Sequence, residues 1–312
     1  MNSRLNAGPS GQLLTSQPER SSWGICRPMI VVGMILVLAV SGNHVQAATI
    51  SLGASRDNTL FRYDPTDTSS SLNSNGSGNF FAAGSTLQRD ALRRGLLYFD
   101  LSSVPAGQEV VPGSLKLQLY VVDVPKRDPA ARPFWMIPVV DSAWGEGASQ
   151  TTAGVSGAGS GAPAQLHDAT WFHSEYDPAT HAGQPFQPGG PGYWQAPGIL
   201  GDGPFNAAAQ LGAPLGLVAS QIGGVTFAGA GLEGDVDQWL SGQENLGWLV
   251  LGDETLTGEN EAGVRSFGSR EHANPDFRPL LTFETRAVPE PGAGILLGLG
   301  FASFVRRARR RS

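Results

Sequence analysis

The sequence predicts an all-β protein: a single jelly-roll-like β-sandwich with one short helix and a long Gly/Pro-rich central excursion. Three observations carry this reading. Gly (42) and Pro (22) make up about a fifth of the 312 residues, while charged residues are only 15%, a balance that suits turns and strands rather than helices. Short apolar runs bounded by turn residues recur along the chain. Between residues 114 and 122, Leu115, Leu117, Leu119 and Val121 alternate with Lys116, Gln118 and Tyr120, the period of a strand with one buried and one wet face. A hydrophobic content of 40% is enough to bury a core.

Taken in order, residues 1–47 read as a signal peptide with a long n-region. An apolar run over 29–40 follows Arg20 and Arg27 and ends at Ser41-Gly42-Asn43, and Val45-Gln46-Ala47 supplies small residues for cleavage after Ala47. The run has no amphipathic face, which argues against a buried helix. The single cysteine, Cys26, precedes it, so the chain after Ala47 has no thiol for a disulfide or a nucleophile. Residues 48–287 form the sandwich domain, with strands expected at 49–52, 80–84, 95–101, 114–122, 134–140, 223–227, 247–252, 264–268 and 279–285. One helix is expected at 233–240, with Val236, Trp239 and Leu240 on one side and Gly242 just past its end. Residues 145–213 are too long for a structureless loop. Their scattered rings predict an ordered excursion pinned to the sandwich.

Residues 288–312 carry Pro289-Glu290-Pro291, an apolar stretch over 292–305, and then Arg306, Arg307, Arg309, Arg310 and Arg311. Arginines beyond an apolar stretch stay on the cytoplasmic side, so the body of the protein faces outward. About 14 apolar residues interrupted by glycines fall short of the roughly 20 a span requires, which predicts transient inner-membrane anchoring. The segment resembles the PEP-CTERM sorting signal. That resemblance implies a membrane exosortase as partner during processing, cleavage near the Pro-Glu-Pro motif, and a cell-surface or extracellular-matrix destination.

The formal net charge is −6, and residues 48–287 hold about 13 bases against about 25 acids. This excludes a phosphate-neutralising surface, so no nucleic-acid partner is expected. No Lys or Arg occurs between Arg132 and Arg265.

Several segments stand in a telling order: Arg56-Asp57-Asn58-Thr59-Leu60, Asn79-Phe80-Phe81, Arg94-Gly95-Leu96-Leu97-Tyr98-Phe99-Asp100, Trp144-Gly145-Glu146-Gly147, Ala169-Thr170-Trp171, Asp235-Val236-Asp237-Gln238-Trp239, Asn245-Leu246-Gly247-Trp248, Ser269-Arg270-Glu271 and Arg278-Pro279-Leu280-Leu281. Together they resemble the DNRLRE domain across nearly all of residues 48–287. The resemblance implies a secreted, carbohydrate-binding-module-like domain with an extracellular polysaccharide as partner, acidic glycans among the ligands. A structural matrix protein without a defined ligand is the competing class, and a polysaccharide lyase or hydrolase the third.

Candidate glycan contacts are the arginines near turns, Arg89, Arg93, Arg94 and Arg270, whose guanidinium forks suit uronate carboxylates. Their alternative role is ion pairing with Asp90, Asp100 and Glu271. Tyr193 and Trp194, flanked by Pro-Gly turns, are candidates for stacking on sugar rings, whereas Trp144, Trp239 and Trp248 read as core. Asp235 and Asp237 are candidate calcium ligands, or charges for the first turn of the helix. Calcium is the candidate cofactor, since it takes oxygen ligands from loops. His167, His173 and His181 lack a zinc spacing, and the glycine run at 157–161 lacks the strand and helix of a dinucleotide site. No Gly-x-Ser-x-Gly motif occurs, and abundant carboxylates alone do not define a glycosidase pair. A non-catalytic protein is therefore expected.

Overall fold

The computed structural model describes residues 47–63, 72–87, 91–128, 130–151, 161–212, 216–218, 222–256 and 261–288. The strands among them are β1 (Ala48–Gly53), β2 (Arg56–Arg62), β3 (Asn73–Ser74), β4 (Phe80–Ser85), β5 (Leu92–Tyr98), β6 (Gln108–Val110), β7 (Lys116–Asp123), β8 (Arg132–Pro138), β9 (Ala162–Pro163), β10 (Gly216–Val218), β11 (Gly223–Phe227), β12 (Trp248–Gly252), β13 (Arg265–Gly268) and β14 (Leu280–Ala287). Three short helices accompany them: α1 (Pro178–His181), α2 (Ala207–Leu211) and α3 (Ala230–Leu240).

Hydrogen bonding runs in one antiparallel path, β1-β14-β7-β13-β4-β5-β12-β8-β10, with β11 beside β7, β2 beside β5 and β6 beside β14. The path curls at β4. Its first four residues pair with β13, from Phe80 opposite Gly268 to Ala83 opposite Arg265, while Gly84 and Ser85 pair with Arg93 and Leu92 of β5. Gly84 has φ +111°, and a Cβ there would lie 2.5 Å from the Gly263 carbonyl carbon, so glycine is required where the strand changes sheets. The two halves close face to face on Leu117, Val121, Phe267 and Phe283 from one and Leu97, Phe134, Trp248 and Val250 from the other. Burying each such side chain contributes about 1.5–3 kcal/mol. The all-β sandwich expected from the sequence is the fold observed.

A third layer covers one outer face of the sandwich. The outer face of the second half presents Leu92, Leu96, Leu249 and Leu251, which pack beneath Trp171 and Trp194 of the central excursion. Strands β5 and β12 are therefore buried on both faces, which is why neither alternates and β12 reads as a continuous apolar run. The outer face of the first half has a different fate. There Lys116, Gln118, Gly224, Thr226 and Glu284 are exposed.

Several elements differ from the sequence reading, which expected one helix and none of β2, β3, β6, β9 and β10; α1 and α2, four and five residues long and capped by Asp177 and Asn206, are too short to show an amphipathic period. Strand β5 starts three residues before the expected 95, because Arg93 and Arg94 masked its beginning. Strand β2 was not expected, since Arg-Asp-Asn-Thr has no apolar alternation, yet it pairs with β5 from Arg56 opposite Tyr98 to Arg62 opposite Leu92. Helix α3 begins at Ala230, three residues early. Among the described residues no helix is long and apolar enough to cross a membrane.

Candidate functional site

Arg93, Arg94 and Arg270 do not form a shared ligand face. Arg94 is fully buried beneath the excursion. Its guanidinium donates to both carboxylate oxygens of Glu254 at 2.8 Å and to the carbonyls of Gly198, Gly201 and Gly203 at 2.8, 3.1 and 2.9 Å. All five donors are used, so Arg94 has none left for a glycan. Its ring neighbour is Trp171, 4.5 Å away. Gly198, at φ +58°, makes this approach possible, since a Cβ would meet Arg94 Nη1 and Trp171 at 2.7 Å.

Arg93 is also buried, donating to the carbonyls of Arg62 and Leu92 and lying over the rings of Phe61 and Tyr63. Burial lowers its pKa to about 10, against the opposing effect of Tyr63. Arg270 sits elsewhere. Arg93 pairs with Gly84 and Gly268 with Phe80, four residues along β4 and so roughly 13 Å apart at about 3.3 Å per residue. Arg89 and Asp90, like Pro289, Glu290 and Pro291, lie outside the described residues. Of the alternative ion pairs, Arg270 with Glu271 is present at 2.7 Å.

Tyr193 and Trp194 face inward, not outward. Trp194 is fully buried and its Nε1 donates to the Thr170 carbonyl at 2.9 Å. Trp194 packs on the apolar sheet face and Tyr193 is buried within the excursion, so neither ring is open to a sugar. Tyr193 closes a small aromatic cluster with His173, His181 and Phe186, at centroid distances of 4.5, 4.8 and 5.9 Å.

His173, 2% exposed, contacts the Thr170 hydroxyl at 2.9 Å through Nδ1 and also faces Tyr176. Burial, helped by the nearby His181, lowers its pKa from 6.5 to about 3. Below pH 6.5 the unfolded chain takes up a proton that the folded chain refuses, so stability falls as pH drops from 6.5 towards 3, by up to about 1.4 kcal/mol per pH unit. Between pH 6 and pH 4 the urea midpoint of the wild-type chain should therefore fall further than that of His173→Gln. Parallel titration curves in this window would show that His173 does not carry the effect.

Asp235 and Asp237 do not share a cation site. They lie two residues apart on α3 and tether different partners: Asp235 Oδ2 accepts from Trp248 Nε1 at 2.7 Å, and Asp237 Oδ1 accepts from the Val110 amide at 2.6 Å. Because the helix starts at Ala230, its first-turn acid is Glu233 rather than either of them.

The carboxylates that do converge come from three separate segments. Asp57 on β2, Glu146 in the loop after β8, and Glu271 in the turn after β13 each place one oxygen within 4.8 Å of the others. Glu146 Oε1 accepts from the Asp57 amide at 2.9 Å, and its carboxylate is clasped by Arg270 Nε and Nη2, both at 2.6 Å. The Arg270 amide donates to Asp57 Oδ2 at 2.7 Å. Desolvation raises Asp57 well above the usual carboxylate range, partly opposed by the Arg270 amide, and desolvation also raises Glu271. Asn58 extends the knot, its side chain donating to the Glu146 carbonyl at 3.0 Å and accepting from Ser74 and from the Asn75 amide. No sequence spacing announces this cluster, since 89 residues separate Asp57 from Glu146 and 125 more lead to Glu271.

The exposed outer face of the first half holds a groove of ≈ 600 Å³ lined by Gln118, Tyr120, Thr226, Asp276, Arg278 and Leu280. At its edge Tyr120 stacks on Phe277, with centroids 3.6 Å apart and rings 9° from parallel. Arg278 donates from Nε to the His272 carbonyl at 2.8 Å and is exposed. The alternation at 114–122 marked this face as wet but did not identify Tyr120 or Arg278 as its functional candidates.

No curated protein matches the chain. Residues 287–311 match the family model of the PEP-CTERM protein-sorting motif. The chain thus carries the signal of an exosortase-processed protein, exported through transient membrane anchoring to the cell surface.

Proposed function

We propose that residues 48–287 are a non-catalytic polysaccharide-binding module of the DNRLRE type, acting at the cell surface or in a biofilm matrix after removal of residues 1–47 and processing within 288–312. The observation that carries this reading is the groove on the open outer sheet face. It combines an aromatic pair, hydroxyl and amide groups on Thr226 and Gln118, and the exposed Arg278 fork. That set suits a glycan: a ring packs on apolar sugar faces, polar side chains meet hydroxyls, and a guanidinium pairs with a carboxylate. The DNRLRE reading draws support from the knot around Asn58, where segments that carry the resemblance, at 56–60, 144–147, 169–171 and 269–271, meet by hydrogen bonds.

Affinity electrophoresis of the full chain through gels containing an acidic or a neutral glycan tests this. Retardation is expected on at least one, weakened roughly tenfold by Tyr120→Ala, a change of about 1.4 kcal/mol. Arg278→Gln should weaken only the acidic ligand, and less so at high salt. Unretarded migration on every glycan would favour a structural matrix protein. Release of reducing ends or unsaturated uronate would assign an enzyme instead.

A further inference from the structure

We propose that the Asp57–Glu146–Glu271 knot is a calcium site, with the Arg270 side chain standing in for the ion when calcium is absent. Two observations carry it independently. The first is geometric: three carboxylates from three segments bring oxygens within 4.8 Å of one another. Oxygens this close can share one cation, and calcium, with its flexible coordination by carboxylates drawn from separate segments, suits such a set better than magnesium, which keeps several waters. The donors are all oxygens, which suits a hard cation rather than zinc.

The second observation is an unmet acceptor. Asp57 is 0% exposed, and its Oδ1 has no hydrogen-bond partner among the described residues, as is also true of the buried Glu271 Oε2. Two carboxylate oxygens left without partners in one desolvated knot are costly. The Arg270 guanidinium engages Glu146 through both oxygens and Glu271 through Oε1, but it contacts neither orphaned oxygen. Ionised together, the three carboxylates would carry a formal charge of about −2 against one guanidinium, a repulsion that a divalent ion would remove. Arg270 is free to yield its place, because its side chain is 39% exposed while Glu146 is only 12% exposed. Calcium bound here would tie β2, the loop after β8 and the turn after β13 together. None of these three segments is joined to another by sequence.

Terbium is the direct probe, because Trp144 lies two residues from Glu146 and its indole can sensitise the ion. The full chain should give Trp-sensitised terbium luminescence that calcium displaces, and calcium should raise the melting temperature relative to a chelated sample. Asp57→Asn should weaken the ion at least tenfold. Glu271→Gln, at a partly exposed position, provides a second variant in case Asp57→Asn does not fold. Arg270→Gln should bind terbium more tightly than wild type, since it removes the competitor. No luminescence in wild-type protein, binding unchanged in both carboxylate variants, or loss of binding in Arg270→Gln would each overturn the proposal. Such results would leave the knot as an ion-pair network closed by Arg270.

Discussion

Glu254→Ala should destabilise the protein by about 3–5 kcal/mol, the cost of leaving a buried guanidinium without its counter-ion. Glu254 and Arg94 have side chains with no exposure, and Glu254 also accepts from the Phe205 amide at 2.8 Å. The change strips two of the five acceptors from Arg94 and frees the segment around Phe205. At about 2–4 °C per kcal/mol for a domain of this size, the melting temperature should fall by on the order of 10 °C. The paired replacement Arg94→Met with Glu254→Leu removes both charges together and should recover much of that loss. Thermal melts of the two variants distinguish the cases. Equal losses in both would mean that packing of the excursion, rather than the unpaired charge, sets the penalty.

Trp194→Ala should cost about 3–5 kcal/mol, because it opens a cavity between the excursion and the sheet face of Leu92, Leu96, Leu249 and Leu251. It also leaves the Thr170 carbonyl without its indole donor. An exposed sugar platform would behave differently: its removal would weaken glycan retention while leaving the denaturant midpoint unchanged. Chemical denaturation of Trp194→Ala decides between the two placements, and a large midpoint shift is the expected result.

Why the sequence misplaced this tryptophan follows from what local patterns carry. Where one face meets water, as in β7, alternation marks buried and wet positions residue by residue, and Leu117, Leu119 and Val121 are buried as the pattern requires. Helix α3 was visible for the same reason, through Val236 and the Gly242 stop. Strands β5 and β12 are buried on both faces, so alternation vanishes and the third layer leaves no local trace. The apolar run from Trp248 to Leu251 was nevertheless a signal. A strand without a polar face requires a cover, and the ring-rich excursion was the available one.

The two consecutive arginines were misread on the same grounds. Arg residues near turns are usually exposed, and nothing beside Arg94 reveals that Glu254, 160 residues away, supplies its partner. The same distance in sequence concealed the carboxylate knot. Its members, Asp57, Glu146 and Glu271, become neighbours only when β2 pairs with β5 and the turn after β13 folds over the end of β4. Asp235 and Asp237, by contrast, stood close in sequence and were separated by the helix that places them.

On the function proposed above, the glycan binds the open sheet face and not the face covered by the excursion. Hydrogen–deuterium exchange of the full chain, with and without the glycan that retards it most, tests this directly. Added protection should concentrate in residues 116–120, 223–227 and 275–280, while the amides of 171–199 stay unchanged. Protection confined to 171–199, with no change along 116–120, would place the binding site on the excursion instead.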